Sequence, residues 1–337
     1  ISRPTGDRPA EFVAKPGIQV VVTLKREKPA LPGLIQTLNA AGPVTALAFH
    51  PTDSAQLFWG TQNGHCQVYD GQVRDLPRLG GPLPDEGVKC VVYTGTGDRM
   101  YVLFQLGGAY RFLKLRPGDL PGPLIYPGKF QAIAASPDGF ILALASTTKN
   151  ESKLSFLGPD NKDHGLADTP LGRHNRPVYA MAWPTEDLLV TGGEKGEVIV
   201  WDSKTGQKKQ TPKLNFLPLG ILKSVAITRD GQYILAADGL RFVVNRGDDL
   251  RFASENPKLG LAAVVLSPAE PLVAWITGKT IYIQHVDWVQ AKTLALEDSP
   301  ESGELLSLAF SHDGKRLAFG TTRGKVHILE VSKIPSR

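Results

Sequence analysis

The chain has 337 residues with a formal net charge of +5, and 42% of its residues are hydrophobic. A chain of this length buries about three quarters of its unfolded surface, so it can form a large core without disulfide bonds. Its two cysteines, Cys66 and Cys90, match neither a disulfide scaffold nor a zinc-site spacing, and we expect both to be small buried apolar residues. No apolar run of about eighteen residues is present, so the sequence predicts no membrane-spanning helix.

The N-terminal residues differ in composition from the rest of the chain. Residues 1–17 are polar and rich in Pro and Gly, and we expect a linker or tail there, with a single domain over residues 18–337. Two roles remain open for the apolar run at residues 18–24: an extra strand of the last repeat, or a segment that docks to whatever precedes Ile1. Because the chain begins at Ile1 rather than Met, the compartment is open as well. We favour the cytoplasm, with an exported or membrane-anchored protein as alternatives.

One unit of sequence recurs along the chain. The 35 Gly and 26 Pro residues interrupt short apolar runs at regular intervals, which is typical of an all-β protein. Seven such units are spaced by 39 to 48 residues, and a period of about 40–45 residues with several strands per unit indicates β-propeller blades. The first strands of the units are predicted to begin at Val44, Val88, Phe130, Val178, Leu222, Leu261 and Leu305.

A second register of turn residues supports the same unit. A turn residue stands between the predicted second and third strands of each unit. Six of these seven turn residues are glycine, which favours a hairpin turn with positive φ. Asp-Gly pairs at residues 138–139, 230–231 and 313–314 predict another hairpin between the first and second strands. The second-to-third-strand residues are Gly64, Gly108, Ser152, Gly196, Gly239, Gly278 and Gly324.

The fourth unit carries the signature residues of a known family. It has His174 before its first strand and Trp201-Asp202 at the end of its third strand, and in these residues and in its period the chain resembles the WD40-repeat family over residues 33–331. The Trp-Asp pair is lost in the other units, Lys195 stands at the expected turn aspartate, and Arg173 replaces the glycine of the Gly-His pair. The resemblance implies a degenerate seven-bladed β-propeller of four-stranded antiparallel blades. The few methionines and the eroded repeats are taken to indicate a bacterial source.

The last unit needs a strand from elsewhere in the chain. Only residues 332–337 follow its third strand. They are too few to form a fourth strand, and the proline among them would interrupt one. Residues 34–38 lie at the right distance before Val44 to supply it. Pairing of this N-terminal strand with the last unit would close the ring and hide two sheet edges.

No motif points to catalysis, metal binding or a cofactor. The seven histidines lack metal-ligand spacing, and the acidic cluster at residues 160–168 lacks the glutamate that ends a calcium loop. The glycine pairs have no phosphate-loop context, and there is no GxSxG nucleophile elbow. We therefore predict no catalytic residue, no metal and no cofactor. A propeller enzyme or small-ligand binder that uses the axial channel remains the alternative, because residues from distant blades can meet at the axis.

Nucleic acid is a minor alternative as a partner. The basic residues are interspersed with acidic ones, which does not favour a phosphate-binding stripe. The aromatic residues Phe49, Trp183 and Phe310 occupy apolar strand positions, whereas base stacking requires aromatic side chains on an exposed basic face. Any nucleic-acid contact would be independent of base sequence.

The loops of a propeller carry most of its recognition. The predicted turns between second and third strands differ in charge and shape from unit to unit, so we predict a mixed-charge surface for a protein or peptide. The resemblance implies a non-enzymatic protein-interaction scaffold, either alone or as part of a larger chain or complex. The predicted interaction residues are Gln62, Asn63, His65, Glu194, Lys195, Arg241 and Arg323.

Overall fold

A computed structural model describes the chain in segments. They are residues 10–15, 18–22, 31–76, 87–95, 97, 100–106, 109–111, 130–138, 140–148, 151–158, 166, 169, 171, 177–212, 219–255, 260–287, 292–295 and 303–334. The chain divides into two compact units, Ile1–Leu31 and Pro32–Arg337. His174 and nearly all of the acidic cluster at residues 160–168 lie outside the described residues.

The first unit contains a two-stranded hairpin. Strand β1 (Ala10–Lys15) pairs antiparallel with β2 (Ile18–Val22). Residues 10–15 are therefore a strand, where the composition of residues 1–17 predicted a linker or tail, and the unit boundary follows Leu31 instead of residue 17. β2 pairs with β1 in a two-stranded sheet.

The second unit is an all-β propeller built from antiparallel sheets. Each predicted first strand opens one of seven sheets of three or four strands in the described part of the chain. Five of these sheets have four strands, while sheets 2 and 3 show three among the described residues, so the prediction of four strands is confirmed for five of the seven sheets. The described part of this unit also contains two short 3₁₀ helices of three residues each, Glu194–Gly196 and Val331–Lys333.

The strands follow the chain order of the repeats. After β3 (Leu34–Asn39), sheet 1 contains β4 (Val44–Phe49), β5 (Leu57–Thr61), β6 (Cys66–Tyr69) and β7 (Val73–Asp75). Sheet 2 contains β8 (Val88–Tyr93), β9 (Met100–Leu106) and β10 (Ala109–Arg111); sheet 3 contains β11 (Phe130–Ala135), β12 (Leu142–Thr148) and β13 (Glu151–Leu157). Sheet 4 contains β14 (Val178–Thr185), β15 (Leu188–Gly193), β16 (Val198–Asp202) and β17 (Lys208–Gln210).

The remaining three sheets complete the series. Sheet 5 contains β18 (Ser224–Ile227), β19 (Tyr233–Ala237), β20 (Arg241–Arg246) and β21 (Asp249–Glu255). Sheet 6 contains β22 (Ala263–Leu266), β23 (Leu272–Thr277), β24 (Thr280–His285) and β25 (Lys292–Ala295). Sheet 7 contains β26 (Leu305–Phe310), β27 (Arg316–Thr321), β28 (Lys325–Glu330) and β3, so residues 34–38 lie in its fourth strand.

The first strands of sheets 5 and 6 begin two residues later than their repeat pattern predicts. The backbone N–H of Leu222 donates to Gly193 O of sheet 4 (3.0 Å), and the N–H of Leu261 donates to Gly239 O of sheet 5 (2.8 Å). Both leucines therefore bond to the neighbouring sheet and not to their own, which delays the start of the strand. The apolar pattern cannot distinguish these two uses of a leucine.

One predicted turn residue lies inside a strand. Ser152 is the second residue of β13, pairs with Thr147, and accepts a hydrogen bond from the backbone N–H of Val178 at 2.6 Å. A buried serine satisfied in this way is stable within a sheet, so alignment to the other turns misplaced it. Gly108 lies outside the described residues. The other five turn glycines have φ between 60° and 95°: Gly64, Gly196, Gly239, Gly278 and Gly324.

Neighbouring sheets pack face to face through apolar side chains. The central strands β5 and β19 are buried along their whole length, because a sheet lies against each of their two faces. A glycine in the second strand of three sheets allows the first strand of the next sheet to come close, since a Cβ there would lie 2.2–2.5 Å from a valine methyl. The contacts are Gly60 with Val88, Gly192 with Val225, and Gly320 with Val44.

Sheet 7 also bonds to sheet 1. The Ser307 hydroxyl donates to Val44 O at 2.8 Å in a buried contact. At the other end of the same two sheets, the Ser54 hydroxyl donates to Asp313 Oδ2 at 3.0 Å, and Arg316 Nη1 donates to Ser54 O at 2.7 Å. Residues more than 250 positions apart in the sequence are thereby joined at both ends of the sheets.

Candidate docking surface

The described turns between second and third strands emerge from one end of the sheets. In sheet 1, Val44 at the start of β4 pairs with Thr61 at the end of β5, and in sheet 4, Val178 pairs with Gly193 in the same way. The connections that lead into the first strands therefore share this end with those turns. We call this end the turn face, and the opposite end, which carries the first-to-second-strand turns, the base face.

Four of the predicted interaction residues lie at the junction of sheets 7 and 1. Gln62, Asn63 and His65 belong to the sheet 1 turn, and Arg323 belongs to the sheet 7 turn. The connection at residues 40–43 joins the two turns: Ala40 N–H donates to Gly324 O at 2.7 Å, and the Asn63 amide donates to Ala41 O at 3.2 Å. These four residues therefore share one region of the turn face.

Within this region the residues differ in what they do. Asn63 also accepts the Thr61 hydroxyl at 2.6 Å, so its side chain holds the turn together. Gln62 and Arg323 are exposed. A Cβ on Gly303 would lie 2.6 Å from Arg323 Cγ, which shows that the arginine stem rests against the Gly303 backbone. Gln62 and Arg323 are thus the better placed for a partner.

The other three predicted residues lie at the junction of sheets 4 and 5. Glu194 and Lys195 form the sheet 4 turn, and Arg241 begins β20. Gly196 N–H donates to Gly220 O at 2.9 Å, which ties the sheet 4 turn to the connection that enters sheet 5. The structure therefore groups the seven residues at two different junctions of the turn face.

Lys195 has an unusual backbone conformation. Its φ is 55°, and it is the one non-glycine residue with positive φ among those described. The left-handed region costs a residue with a Cβ about 1–2 kcal/mol, and glycine avoids this cost. Its neighbour Glu194 accepts the Tyr179 hydroxyl at 3.3 Å; burial and the Glu194 charge raise the pKa of Tyr179 above its ordinary value. Lys195 itself is exposed.

Arg241 forms an ion pair within the chain. Its guanidinium pairs with Asp238 at 3.0 Å, and the side chains of Arg241 and Asp238 are only 21% and 5% exposed. Burial raises the pKa of Asp238, but hydrogen bonds from the N–H groups of Gly220, Leu240 and Arg241 outweigh burial and hold that pKa below its ordinary value. The Arg241 guanidinium is thus paired with a carboxylate of the same chain, whereas its position in the repeat suggested an exposed cation available to a partner.

The Asp238 carboxylate brings two exposed apolar residues into one region. Its oxygens accept the N–H of Gly220 at 3.0 Å and of Leu240 at 2.9 Å, and Ile221 follows Gly220 directly. The side chains of Ile221 and Leu240 are 48% and 46% exposed, which is high for large apolar residues. With Glu194 and Lys195 they form what we call the 4–5 patch. Sequence reasoning missed both residues, although an apolar residue directly after the turn glycine Gly239 is a usable signal.

A cavity of about 350 Å³ lies where first strands of several sheets meet. Its lining comes mainly from residues in or directly before the first strands of sheets 1, 2, 5, 6 and 7, together with Ala237 and Gly239 of sheet 5. Most of the lining groups are small or apolar, such as Ala46, Ala263 and Ser307. Lys89 and Lys223 are the two charged residues in the lining. We call this space the axial cavity.

A larger cavity of about 660 Å³ lies between sheets 6 and 7 near the base face. Its floor includes Ile35, Leu272 and Ile283. Several charged groups on its rim already have partners within the chain: Arg316 donates to Ser54 O, and Glu330 pairs with Lys333 at 2.8 Å. The described part of the chain contains no group of three or more His, Cys, Asp or Glu residues that could hold a metal ion, and no helix suited to crossing a membrane.

The fourth unit has a buried side-chain hydrogen bond between its second and third strands. Trp201 is 3% exposed, and its indole N–H donates to Thr191 Oγ1 at 2.9 Å, across β16 and β15. The family model described as "WD domain, G-beta repeat" matches residues 169–202, which contain both. Residues 169–202 thus match one WD40 repeat, and the fold of the chain is a β-propeller. Its other units keep the strand pattern without the Trp-Asp pair.

Comparison with solved structures agrees with this fold. A chain from the structure described as "Crystal Structure of Mitotic Checkpoint Complex" matches with a TM-score of 0.64 at 14% identity, covering 92% of this chain and 99% of that chain. At this identity the likeness concerns the fold alone. In all, 1502 solved chains match, and a fold shared so widely does not specify one function. No curated protein matches the chain, and nothing in the comparisons supports a bacterial source.

Proposed function

We propose that this propeller is a non-enzymatic docking module that binds a protein or peptide partner through its turn face, centred on the 4–5 patch. The observation that carries the proposal is the combination of a left-handed Lys195 with the exposed side chains of Ile221 and Leu240. Backbone strain that glycine would relieve is found preferentially at functional sites. Exposed apolar residues grouped with charged ones are typical of protein-interaction surfaces.

The proposal includes a scaffold that holds the patch rigid. We propose that the sheets of the second unit are the blades of one closed ring, with β3 completing the last blade. Support comes from the glycine contact of Gly320 with Val44, which repeats between sheets 7 and 1 the contact of Gly60 with Val88 between sheets 1 and 2. The buried bond from Ser307 to Val44 supports it as well. A rigid ring lowers the entropic cost of presenting a binding surface.

The chemistry of the axial cavity favours binding over catalysis. Among the described residues, its lining contains no His, Asp or Glu that could act as a general base. Cys90 contributes a thiol, but burial raises its pKa to about 11, so the thiol stays neutral and weakly nucleophilic near pH 7. These features support a docking role for the turn face over an enzyme centred on the axis.

The test is affinity capture from the native host with matched baits. The Ile221→Asp/Leu240→Asp variant places charge on the 4–5 patch, and a second variant with Glu194→Lys, Lys195→Glu and Arg323→Glu reverses charge on the same face. Phe140→Asp is the control, since Phe140 is 57% exposed and lies at the base face. We expect a partner that the wild type and the control retain and the patch variant loses. A partner lost only from the Phe140→Asp bait would contradict docking through the turn face.

A further inference from the structure

One extra residue interrupts the pairing of the third and fourth strands in three of the described sheets. The register shifts across Lys209 in sheet 4, across Arg251 in sheet 5 and across Ile35 in sheet 7. Such a β-bulge leaves its extra residue out of the ladder and re-aims the side chain, and bulges are over-represented beside functional sites. The three side chains can therefore be compared at one position of the repeat.

Two of these side chains are cations that pair with an aspartate. Lys209 Nζ lies 3.6 Å from Asp202 Oδ2, and Arg251 Nε lies 3.9 Å from Asp287 Oδ1. Ile35 is the exception, because it is apolar and 46% exposed. Its side chain lines the cavity of about 660 Å³ between sheets 6 and 7. The bulge of sheet 7 thus places an aliphatic group at a cavity, where the bulges of sheets 4 and 5 place a paired charge.

Contacts within the chain hold the walls of this cavity, which we call the 6–7 cavity. A Cβ on Gly314 would lie 2.7 Å from Ser267 Oγ, so the base-face turns of sheets 6 and 7 touch each other. The N–H of Val331 donates to Lys315 O at 2.9 Å, which ties the end of sheet 7 to the same turn. The walls therefore exist before any ligand binds, as is usual for small-molecule sites.

Two charged groups of opposite sign on the rim are available to a ligand. Glu270 lies in the base-face turn of sheet 6 and Lys315 in that of sheet 7, and both residues are exposed. Among the described residues, neither the Glu270 carboxylate nor the Lys315 ammonium group has a hydrogen-bond or ion-pair partner. The side chains of Asp313, Arg316 and Glu330, in contrast, have partners within the chain. The rim therefore presents one available anion and one available cation beside an apolar floor.

We propose that the 6–7 cavity binds a small zwitterion with an apolar body, of the chemical class of a free dipeptide with two aliphatic side chains. Its ammonium group lies at Glu270 and its carboxylate at Lys315, while its aliphatic side chains rest on Ile35, Leu272 and Ile283. The cavity volume of about 660 Å³ lies within the range of about 300–1,000 Å³ that is usual for small-molecule sites.

Charge complementarity favours a zwitterion over ligands with fewer charges. A purely apolar ligand would use the floor of the 6–7 cavity but neither charged group, and a ligand with one charge would leave Glu270 or Lys315 unused. Two ion pairs of opposite sense also fix the direction in which the ligand lies, since polar groups provide orientation in a mainly apolar site.

The test uses the full chain and four defined ligands. Binding of leucyl-leucine is measured by isothermal titration calorimetry at low salt. N-acetyl-leucyl-leucine lacks the ammonium group, leucyl-leucine amide lacks the carboxylate, and glycylglycine lacks the apolar body. We expect the free dipeptide to bind about two- to fivefold more tightly than either capped form, because ion pairs between exposed groups have this magnitude. Glycylglycine should bind at least about tenfold more weakly, since it buries no aliphatic side chain.

Variants of the chain assign each ligand group to its residue. Glu270→Gln should weaken leucyl-leucine about two- to fivefold but leave the N-acetyl form unchanged, because that form has no ammonium group to lose. Lys315→Gln should weaken leucyl-leucine in the same way and leave the amide unchanged. Ile35→Thr should weaken all three leucine ligands by about fivefold, since it removes apolar contact and no charge.

The control variants make the same changes of charge elsewhere on the base face. Glu186 and Arg229 are exposed in the first-to-second-strand turns of sheets 4 and 5, outside the lining of the 6–7 cavity. Glu186→Gln and Arg229→Gln should bind all four ligands like the wild type. Thermal unfolding of each variant establishes that it is folded.

Several results would overturn the proposal. These are no binding of leucyl-leucine by the wild type at millimolar concentration, equal binding of the free dipeptide and either capped form, or an equal loss in the control variants. A Glu270→Gln variant that weakened the N-acetyl form as much as the free dipeptide would also overturn it, because the carboxylate would then not face the ammonium group.

This site does not depend on docking through the turn face. Ile35, Glu270 and Lys315 lie towards the base face, so the Ile221→Asp/Leu240→Asp variant should bind leucyl-leucine like the wild type. The Glu270→Gln bait should likewise retain the host partner. Loss of leucyl-leucine binding in the folded patch variant would contradict the placement of the ligand in the 6–7 cavity.

Discussion

Substitution of Gly320 by alanine tests how sheet 7 packs against sheet 1. A Cβ at this position would lie 2.5 Å from Val44 Cγ1 and 2.6 Å from Ser307 Oγ, whereas ordinary carbon contacts are about 3.5–4.0 Å. Overpacking of this size costs about 1–3 kcal/mol, and disturbing the Ser307 to Val44 hydrogen bond adds about 1 kcal/mol. Replacing glycine within a strand returns about 0.5–1 kcal/mol. We therefore expect a net loss of about 1–3 kcal/mol in the free energy of unfolding.

The assay is urea-induced unfolding followed by tryptophan fluorescence, because Trp59 lies in the apolar cluster that Gly320 borders through Val44. Gly60→Ala, with its Cβ 2.2 Å from Val88, should lose a similar amount. Gly220→Ala is the control, since its Cβ would meet only Asp238 Oδ2 at an ordinary 3.8 Å. If Gly320→Ala were as stable as the wild type while Gly60→Ala was destabilised, the packing of sheet 7 on sheet 1 would be wrong.

Three further predictions concern stability. Burial, with a smaller effect from Lys325, lowers the pKa of His327 from 6.5 to about 4. Between these pH values the unfolded chain binds more protons than the folded chain, so the free energy of unfolding should fall by on the order of 1–2 kcal/mol as the pH drops from 6.5 to 4. The free energy of unfolding of His327→Gln should lack this pH dependence. Asn245 is fully buried, and neither atom of its amide is bonded among the described residues. Asn245→Val should therefore raise the free energy of unfolding by about 1 kcal/mol or more. A lower free energy of unfolding in this variant would show that the amide has a partner. Lys195→Gly should raise the free energy of unfolding by about 1 kcal/mol, because glycine adopts a φ of 55° without strain. The same variant should capture less of the partner. Unchanged capture would show that Lys195 is not part of the docking surface.

The repeat pattern predicted much of the fold because the same physical constraint recurs in each sheet. A second strand with a sheet on either face must be apolar throughout, as in β5 and β19, and the turn after it must reverse tightly, as at Gly64 and Gly239. The pairing of β3 with β28 could be predicted because the last unit lacked a fourth strand and residues 34–38 had the right spacing. Length and turn chemistry were sufficient for these features.

The candidate site was less predictable, because its residues depend on contacts between distant segments. The sequence suggested that Arg241 and Asn63 were turn residues free to bind a partner. In the structure, Arg241 forms an ion pair with Asp238, and the Asn63 amide donates a hydrogen bond to Ala41 O. Ile221 is apolar, and nothing in the local sequence distinguishes it from a core residue; its exposure depends on how the connection bonds to Asp238.

The bulge at Lys89 is a further feature that alternation could not predict. A period of two assumes unbroken pairing, whereas the shift between Val88 and Cys90 takes Lys89 out of the ladder. The position of Lys223 over Gly239 likewise depends on a turn in its own sheet. That the two lysines line the same cavity could therefore be found only from the assembled sheets.

Site-specific photo-crosslinking in the native host tests docking through the turn face most directly. Leu240, 46% exposed in the 4–5 patch, and Phe140, 57% exposed at the base face, are each replaced by a photoreactive amino acid. We expect a discrete cross-linked partner from position 240 that is absent from position 140. The same adduct from both positions, or an adduct from position 140 alone, would contradict docking through the turn face.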